Sequence, residues 1–207
     1  MKNANATKTP GEEEREDHVE LMEELGTREA REFRGLAARA NYLAQDRPDI
    51  QYAAKEVCRG MARPLKMHVK ALRRLARYLV GAPRLIWQFG WQGHEEIQVY
   101  SDANWAGCRR TARSTSGGSI LRGKHCLRTW SATQKRVTLS SAESELAAAT
   151  KASIEATGMA QLMEGFGRKV QVEVYVDSSA ALAITARKGN GKLRHVRVRT
   201  LDSRGGG

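Results

Sequence analysis

The sequence predicts an α/β fold in which a mixed β-sheet is flanked by helices and preceded by an α-helical segment. Apolar residues recur at helical spacing from Arg28 to about Val80. After Pro83 the pattern changes to short strands separated by Gly and Ser/Thr turns. Strands in succession, followed by a long helix, a strand and another helix, are typical of an α/β layer. With 207 residues, the chain can bury a substantial core.

The first part of the chain is predicted to contain three helices. The first ends near Asp46, the second begins at Pro48 and runs to a break at Pro64, and the third runs from Met67 to Val80. The apolar stripe of the first helix is Phe33, Leu36, Ala37, Ala40, Tyr42 and Leu43. The outer face of the third helix is basic and comprises Lys66, Lys70, Arg73, Arg74 and Arg77. This face could contact phosphates or form an ordinary solvated surface.

The second part is predicted to contain strands and two helices. The predicted strands are Leu85–Phe89, Ile97–Asp102, Gly118–Arg122, His125–Ser131, Arg136–Ser140 and Val170–Asp177. A long helix is predicted from about Ser141 to Gly165, with Ser140-Ser141 as its N-cap, and a short one at Ser178–Arg187. Ahead of the helical segment, residues 1–11 are predicted to be disordered, and Glu12–Leu25 to form an acidic surface helix.

Charge and cysteine content narrow the classes of function. The net charge is +12, but residues 1–34 carry ten acids against six Lys/Arg, so the rest of the chain is strongly basic. This asymmetry favours a polyanionic partner such as nucleic acid, although excess charge can also simply maintain solubility. The absence of a long apolar run excludes a membrane-spanning helix and predicts no membrane partner. Three widely spaced cysteines favour a reducing, intracellular compartment, the cytoplasm or the nucleus.

Two predicted strands end in the same way, with Tyr100-Ser101-Asp102 and Tyr175-Val176-Asp177. Side chains alternate across a strand, so each Asp shares a face with the Tyr two positions earlier. If the strands are parallel neighbours, both carboxylates emerge together at the C-terminal edge of the sheet, where open α/β sheets usually place their sites. Taken alone, either Asp could be an ordinary turn or cap residue.

The long helix supplies a third acid. At about 100° per residue, Glu145 falls within about 40° of the centre of the predicted buried stripe, whereas Glu143 faces solvent. That stripe comprises Ala142, Leu146, Ala149, Ser153, Ala156 and Ala160. A carboxylate on a buried stripe needs a cationic partner. With Asp102 and Asp177 it makes a hard-oxygen site suited to two Mg²⁺ or Mn²⁺ ions, which can catalyse phosphodiester hydrolysis.

Four segments together resemble one known family. They are YSDANWAG at 100–107, STSGGSI at 114–120, TWSATQKRVTLSSAESELAAAT at 129–150 and VYVDSSAALAI at 174–184. In this order they resemble the ribonuclease H domain of a copia-type retrotransposon Pol polyprotein. The preceding FRGLAARANYLAQDRPDIQYAAKEVCRGMARP, with the basic helix after it, resembles the end of the reverse transcriptase that leads into that domain. The resemblance covers roughly residues 30–200.

The resemblance implies a domain organisation and a function. Residues 1–29 would be an acidic leader, 30–83 a helical reverse transcriptase connection-like segment, and 84–204 a domain with a ribonuclease H-like mixed five-stranded sheet. The implied activity is metal-dependent endonuclease hydrolysis of the RNA strand of an RNA–DNA hybrid. The implied partners are that hybrid and the polymerase part of the same polyprotein. Asp102, Glu145 and Asp177 match the metal-binding, catalytic acids of the family.

The end of the chain departs from the family pattern. Where the family carries a fourth acid, this sequence has Arg197, whose cation would repel the second metal unless Asp202 serves as the substitute acid. The alternative interpretation is therefore a catalytically inactive nucleic-acid-binding remnant. Six residues are predicted to contact nucleic acid: Arg109, Arg110 and Arg113 after the first acid, Thr115 and Ser116 between strands, and His195 in the basic tail. A solvated turn and a plain surface histidine are the alternatives for the arginines and for His195.

Overall fold

The chain folds into two compact units, Met1–Trp87 and Gln88–Gly207. A computed structural model describes residues 5–12, 19–93, 96–108, 111–177 and 196–200. Each unit has buried hydrophobic clusters of its own.

The first unit is helical, as the sequence predicts. It contains a short 3₁₀ helix, Val19–Met22, followed by α1 (Thr27–Leu43), α2 (Pro48–Arg59) and α3 (Lys66–Gly81). Pro48 is the first residue of α2, a position where a missing N–H breaks no helical hydrogen bond. The three helices pack around two clusters of small and branched side chains, which include Phe33, Ala37, Val57, Ala40, Ile50, Ala54 and Leu75.

Two predictions for this unit are only partly correct. The buried stripe of α1 is narrower than predicted, because Leu36, Tyr42 and Leu43 are exposed, whereas Phe33, Ala37 and Ala40 are buried. Residues 5–12 contain no helix or strand, but they are not free, since Thr9 and Glu12 contact α3. Of the predicted helix at Glu12–Leu25, the described part contains only the 3₁₀ turn, and residues 13–18 lie outside the described residues.

The second unit contains a mixed sheet, which confirms the predicted α/β class. Its order is β3-β2-β1-β4-β5, with β1 antiparallel to β2 and parallel to β4. The strands are β1 (Glu96–Cys108), β2 (Arg113–Arg122), β3 (His125–Thr133), β4 (Gln171–Val176) and β5 (Val196–Thr200). The long helix α4 (Ser141–Gly165) connects β3 to β4, and β5 pairs in parallel with β4.

Helix α4 packs against one face of the central strands. Its buried residues are Ser144, Ala148, Ala149, Ala152, Ser153 and Ala156. These side chains are small, so the helix can lie close to the sheet, where they join a core with Ile97, Val99, Ile120, Val172, Val174 and Val176. Of the predicted stripe, Ala142, Leu146 and Ala160 are only half-buried.

Two segments predicted as strands are not strands. Leu85–Phe89 forms none, and Ile86 and Phe89 are largely exposed, so the apolar run has no sheet to join. In Arg136–Ser140, Thr138 is buried and Leu139 is exposed, which imitates strand alternation without backbone pairing to a described strand. Conversely, β5 arises from Val196–Thr200, predicted only as basic tail, and the predicted helix Ser178–Arg187 lies outside the described residues.

Two expectations from composition can be compared with the structure. Among the described helices, none combines the length and apolar composition needed to cross a bilayer. Cys58, Cys108 and Cys126 are all free thiols.

Candidate active site

The parallel pairing of β1 with β4 brings two acids to one level of the sheet. Val99 pairs with Val174, Tyr100 with Tyr175, and Ser101 with Val176, the last described pair. Asp102 and Asp177 follow Ser101 and Val176 directly, so they stand at the same height beside each other. Both are exposed. The sequence analysis made their meeting conditional on parallel neighbouring strands, and β1 and β4 meet that condition.

Asp102 does not end its strand, contrary to the prediction. β1 continues to Cys108, still paired with β2, and its register shifts between Asn104 and Cys108. Within this bulge Ala106 has φ 49°, in the left-handed region. A bulge bends a strand and often re-aims side chains next to active sites. β1 thus loses its neighbour β4 after Ser101 but keeps its regular pairing with β2 as far as Asn104.

The two faces of the paired strands carry different chemistry. The rings of Tyr100 and Tyr175 stack with centroids 5.1 Å apart, while Val99 and Val174 on the other face are fully buried in the core with α4. Strand alternation puts Asp102 on the tyrosine face. Helix α4 therefore packs on the face opposite to Asp102, and its acid Glu145 reaches the β1 backbone at Ala103, the residue after Asp102.

Glu145 lies in the first turns of α4 and faces the sheet, as predicted. Its burial raises the pKa of the Glu145 carboxyl, and the carboxylates of Asp102 and Asp177 raise that pKa further. The backbone N–H of Ala103 acts in the opposite sense by hydrogen bonding to Glu145. The ionised form of Glu145 is thus disfavoured first by burial and then by the negative charges of Asp102 and Asp177.

Glu143 has a separate, structural role. Ser140 is the N-cap of α4, and its hydroxyl accepts a hydrogen bond of 3.2 Å from the backbone N–H of Glu143. The Glu143 carboxylate accepts 2.8 Å from the N–H of Leu139. This reciprocal arrangement satisfies donors at the helix start and confirms both the predicted cap and the solvent-facing position of Glu143.

A glutamine that the sequence analysis did not single out fixes the start of α4. The Gln134 amide donates 3.0 Å to the Ser116 hydroxyl and 2.9 Å to the carbonyl of Ser144, the residue before Glu145. The Ser114 and Thr138 hydroxyls lie 2.8 Å apart, and Ser114 also accepts from the N–H of Ala106 in the bulge. These bonds tie the helix start and the bulge to β2. The sequence indicated this hydrogen-bond network only through the many Ser, Thr and Gln residues in and beside the strands.

The chemistry of the donors fits a divalent cation. A carboxyl group that is partly buried beside two other carboxylates, as Glu145 is, is one that a hard cation such as Mg²⁺ can neutralise. Ser101 Oγ, beside Asp102, is buried with no hydrogen-bond partner among the described residues. The three carboxylates do not surround a single point. In the described part of the chain, no group of three or more His, Cys, Asp or Glu has the spacing of a metal site.

One further acid in the sheet is already neutralised. Glu173 is buried in β4, forms a 2.9 Å ion pair with Arg199 and accepts a 2.7 Å hydrogen bond from the Tyr175 hydroxyl. That hydrogen bond to Glu173, with burial, raises the pKa of Tyr175. Glu173 is therefore a structural carboxylate, in contrast to Asp102 and Asp177.

The register also locates the backbone of Arg197. It pairs with Glu173, and the pairing continues to Val176 and Thr200. Glu173 precedes Asp177 by four residues, which at about 3.3 Å per residue is about 13 Å along the strand. That Arg197 takes the fourth acid position stays a prediction, since the register gives only its backbone position. Asp202, two residues after the end of β5, lies outside the described residues.

The predicted nucleic-acid contacts have mixed outcomes. Arg113 is exposed at the start of β2, where a phosphate could reach it. Thr115 and Ser116 lie within β2, not between strands, and are buried, so they are poorly placed to contact a ligand. Arg109, Arg110 and His195 lie outside the described residues.

Neutralising Glu145 is expected to stabilise the metal-free protein. A carboxyl with a raised folded pKa stabilises the fold below its ordinary pKa, and this contribution is lost as the pH rises through the folded value. Glu145→Gln should therefore raise the Tm in EDTA at pH 7 by a few degrees, but not at acidic pH. Glu143→Gln is the matched control and should not raise it. A lower Tm for Glu145→Gln at pH 7 would mean that the carboxylate is stabilised in the fold.

Comparison with known proteins identifies the relatives of the chain. No protein-family model matches it. It is 31% identical over 170 residues, 81% of its length, to the retrovirus-related Pol polyprotein from transposon RE1 of Arabidopsis thaliana. It is 30% identical over 168 residues to that from transposon RE2 of the same plant. The chain spans only 12% of the length of each polyprotein.

A shorter relative covers part of the same sequence. The secreted RxLR effector protein 161 of Plasmopara viticola is 36% identical over 110 residues, which cover 53% of this chain and 78% of that protein. The matches to Pol polyproteins extend much farther along the chain, to 99% of it for the polyprotein from transposon TNT 1-94 of Nicotiana tabacum, at 28% identity. Most of the chain is therefore homologous to copia-type retrovirus-related Pol polyproteins of transposons.

Proposed function

We propose that the second unit is a metal-dependent endonuclease of the ribonuclease H type, which hydrolyses the RNA strand of an RNA–DNA hybrid. The observation that carries this proposal is the parallel register of β1 and β4, which aligns Asp102 with Asp177 at the level where the Glu145 carboxylate is affected by both. The raised pKa of Glu145 reflects its burial and, after that, repulsion by Asp102 and Asp177, which a bound cation would relieve.

The side chains of the site would have different roles in such a reaction. Asp102, Glu145 and Asp177 would hold two Mg²⁺ or Mn²⁺ ions. Bound there, the ions would activate a water molecule and stabilise the oxygen that leaves when the phosphodiester is cut. Gln134 positions the helix turn that carries Glu145, and the Tyr100–Tyr175 stack holds the two strands side by side just below the aspartates.

The nature of the substrate follows from charge and homology. A chain with a net charge of +12 can bind a polyanion through its phosphates. The relatives named above are retrovirus-related Pol polyproteins of transposons, and the resemblance to their ribonuclease H domain implies an RNA–DNA hybrid as substrate. The 2′-hydroxyl is the group by which a protein can tell the RNA strand of such a hybrid from the DNA strand.

The backbone position of Arg197 favours an active enzyme over an inactive remnant. Its backbone pairs with Glu173, four residues before Asp177, and this separation along the strand supports an active metal site. We propose Asp202 as the fourth acid of the site, as the sequence suggests.

A cleavage assay tests the proposed function directly. The whole chain is incubated with an RNA–DNA hybrid labelled on each strand, in Mg²⁺ and in EDTA. We expect internal cuts in the RNA strand only in Mg²⁺, an intact DNA strand, and no cleavage of duplex DNA. Asp202→Asn should slow the reaction. The chain should cleave the hybrid with Arg197 in place, without the Arg197→Asp substitution.

The same assay identifies the alternative function. An inactive remnant would bind the hybrid and leave it uncut in both Mg²⁺ and Mn²⁺. If the unmodified chain is inactive and Arg197→Asp restores cleavage, Arg197 spoils the metal site and our proposal is wrong.

A further inference from the structure

The basic face of α3 in the first unit has a partner that the proposed function does not explain. We define the basic stripe as Lys66, Lys70, Arg73, Arg74 and Arg77, which at about 100° per residue fall within about 100° of the helix surface. Of the predicted acidic leader 1–29, only the described residues 5–12 and 19–25 are called the leader from here on. The leader runs along α3 and carries acids to this stripe.

Backbone pairing fixes the second part of the leader to the start of α3. The N–H of Leu25 donates 3.1 Å to the carbonyl of Pro64, and the N–H of Lys66 donates 3.0 Å to the carbonyl of Glu23. Glu24 forms an isolated β-bridge with Leu65. Because the backbone is held, the Glu23 and Glu24 side chains are presented to the cations nearby.

Acidic and polar groups of the leader form ion pairs and hydrogen bonds with cations on and beside the stripe. Lys66 pairs with Glu23, and Arg63, just before α3, donates 2.6 Å to Glu24. Arg74 pairs with Glu12 and donates 2.7 Å to the Thr9 hydroxyl. Arg77 donates 2.6 Å to the carbonyl of Asn5.

Part of the stripe is left open. Lys70 and Arg73 are exposed, and neither forms an ion pair with an acid in the described part of the chain. Arg74 Nε is buried without a hydrogen-bond partner among the described residues, although the other guanidinium nitrogens are occupied. The leader thus neutralises only part of the charge of the stripe. Oxygen atoms of a ligand could replace the carboxylates of the leader.

We propose that the basic stripe of α3 binds the phosphate backbone of a nucleic-acid duplex, and that the leader competes for the same cations and weakens this binding. The charge of the stripe and the spacing of its cations along one helix face match a row of phosphates. Exposed ion pairs of the kind that the leader makes are weak, so phosphates can displace them. The proposal rests on the proposed function only in the choice of hybrid as the probe.

Fluorescence anisotropy tests the competition. The whole chain is titrated onto a labelled RNA–DNA hybrid in EDTA, so that no cleavage contributes. Glu12→Gln/Glu23→Gln removes two acids that contact the stripe, and we expect it to bind the hybrid about three- to tenfold more tightly. Glu29→Gln/Glu32→Gln removes two exposed acids of α1, neither of which pairs with a cation of the stripe among the described residues, and it should change the affinity by less than about twofold.

A second pair of variants tests whether the stripe itself binds. Lys70→Gln/Arg73→Gln should weaken hybrid binding and reduce the slope of log affinity against log salt by about two, since each cation accounts for roughly one phosphate contact. Circular dichroism checks that every variant is folded. A leader that only supports the fold would give weaker binding when neutralised, so the sign of the change separates the two roles.

Three results would overturn the inference. They are unchanged or weaker hybrid binding by the leader variant, an unchanged salt slope in the stripe variant, and tighter binding of the leader variant to phosphatidylserine vesicles without a gain for hybrid. Absence of cleavage in the assay above, together with the expected affinity changes, would reject the proposed function and leave this inference standing.

Discussion

Replacing Asp102 with asparagine is expected to reduce Mg²⁺-dependent cleavage of the hybrid by more than about 100-fold. Residues that only support a metal ligand typically cost 10- to 100-fold when replaced, so the loss of a ligand should cost at least about as much as the upper value. The amide keeps the size of the side chain but removes the charge beside Asp177 and Glu145. The measurement is the initial rate of RNA-strand cleavage under single-turnover conditions.

Binding and a control variant separate catalysis from folding in this experiment. Hybrid affinity in EDTA should be unchanged or tighter for Asp102→Asn, because a negative charge is removed. The control is Glu143→Gln, which also converts a carboxylate to an amide but at the solvent-facing helix cap, and it should retain the cleavage rate. A variant at position 102 that cleaves at the normal rate would exclude this carboxylate from the reaction.

A methyl group at Gly118 is expected to destabilise the second unit by about 2–3 kcal/mol, as in other overpacked cores. A Cβ there would overlap the Trp130 ring and lie 2.6 Å from the carbonyl oxygen of Tyr100. Trp130 is buried and cannot easily withdraw, and the Tyr100 carbonyl is part of the β1 backbone. Thermal unfolding of Gly118→Ala should show a Tm lower by roughly 5–10 °C.

The neighbouring glycine provides the matched control. At Gly117 the nearest atom to an added Cβ is the Asp102 carbonyl oxygen, 4.0 Å away. Gly117→Ala should therefore be close to neutral, because the space is open and Ala is less flexible than Gly in the unfolded chain. Equal Tm values for the two variants would show that the tight contact at Gly118 relaxes at no cost.

Local periodicity explains which parts of the site could be predicted from sequence. The alternation around Tyr100 and Tyr175 requires only neighbouring residues, and it identified the two strands and the residues that share a face. The helical periodicity after Ser141 likewise identified Glu145 as the sheet-facing acid and Glu143 as the solvent-facing one. Both patterns depend on backbone geometry that repeats within a few residues.

Features that depend on distant partners were missed or misplaced. The run Val196–Thr200 alternates Val with Arg, but its charge suggested a tail, and only the edge of β4 makes it a strand. Leu85–Phe89 has strand-like composition, yet Trp87 and Phe89 engage in side-chain contacts, a hydrogen bond to the Asp46 carbonyl and an edge contact with His125. The role of Gln134 depends on three segments meeting, which no local pattern reveals.

The order of the strands has a consequence for folding. The β1–β2–β3 meander contains only hairpin contacts between successive strands, so it can form early, whereas Asp177 joins Asp102 only after α4 has crossed the sheet and β4 has paired with β1. Long-range parallel pairing is the slow step in such topologies. Asp177 is therefore expected to reach its place beside β1 late, at the same time as the valines of β4 complete the core.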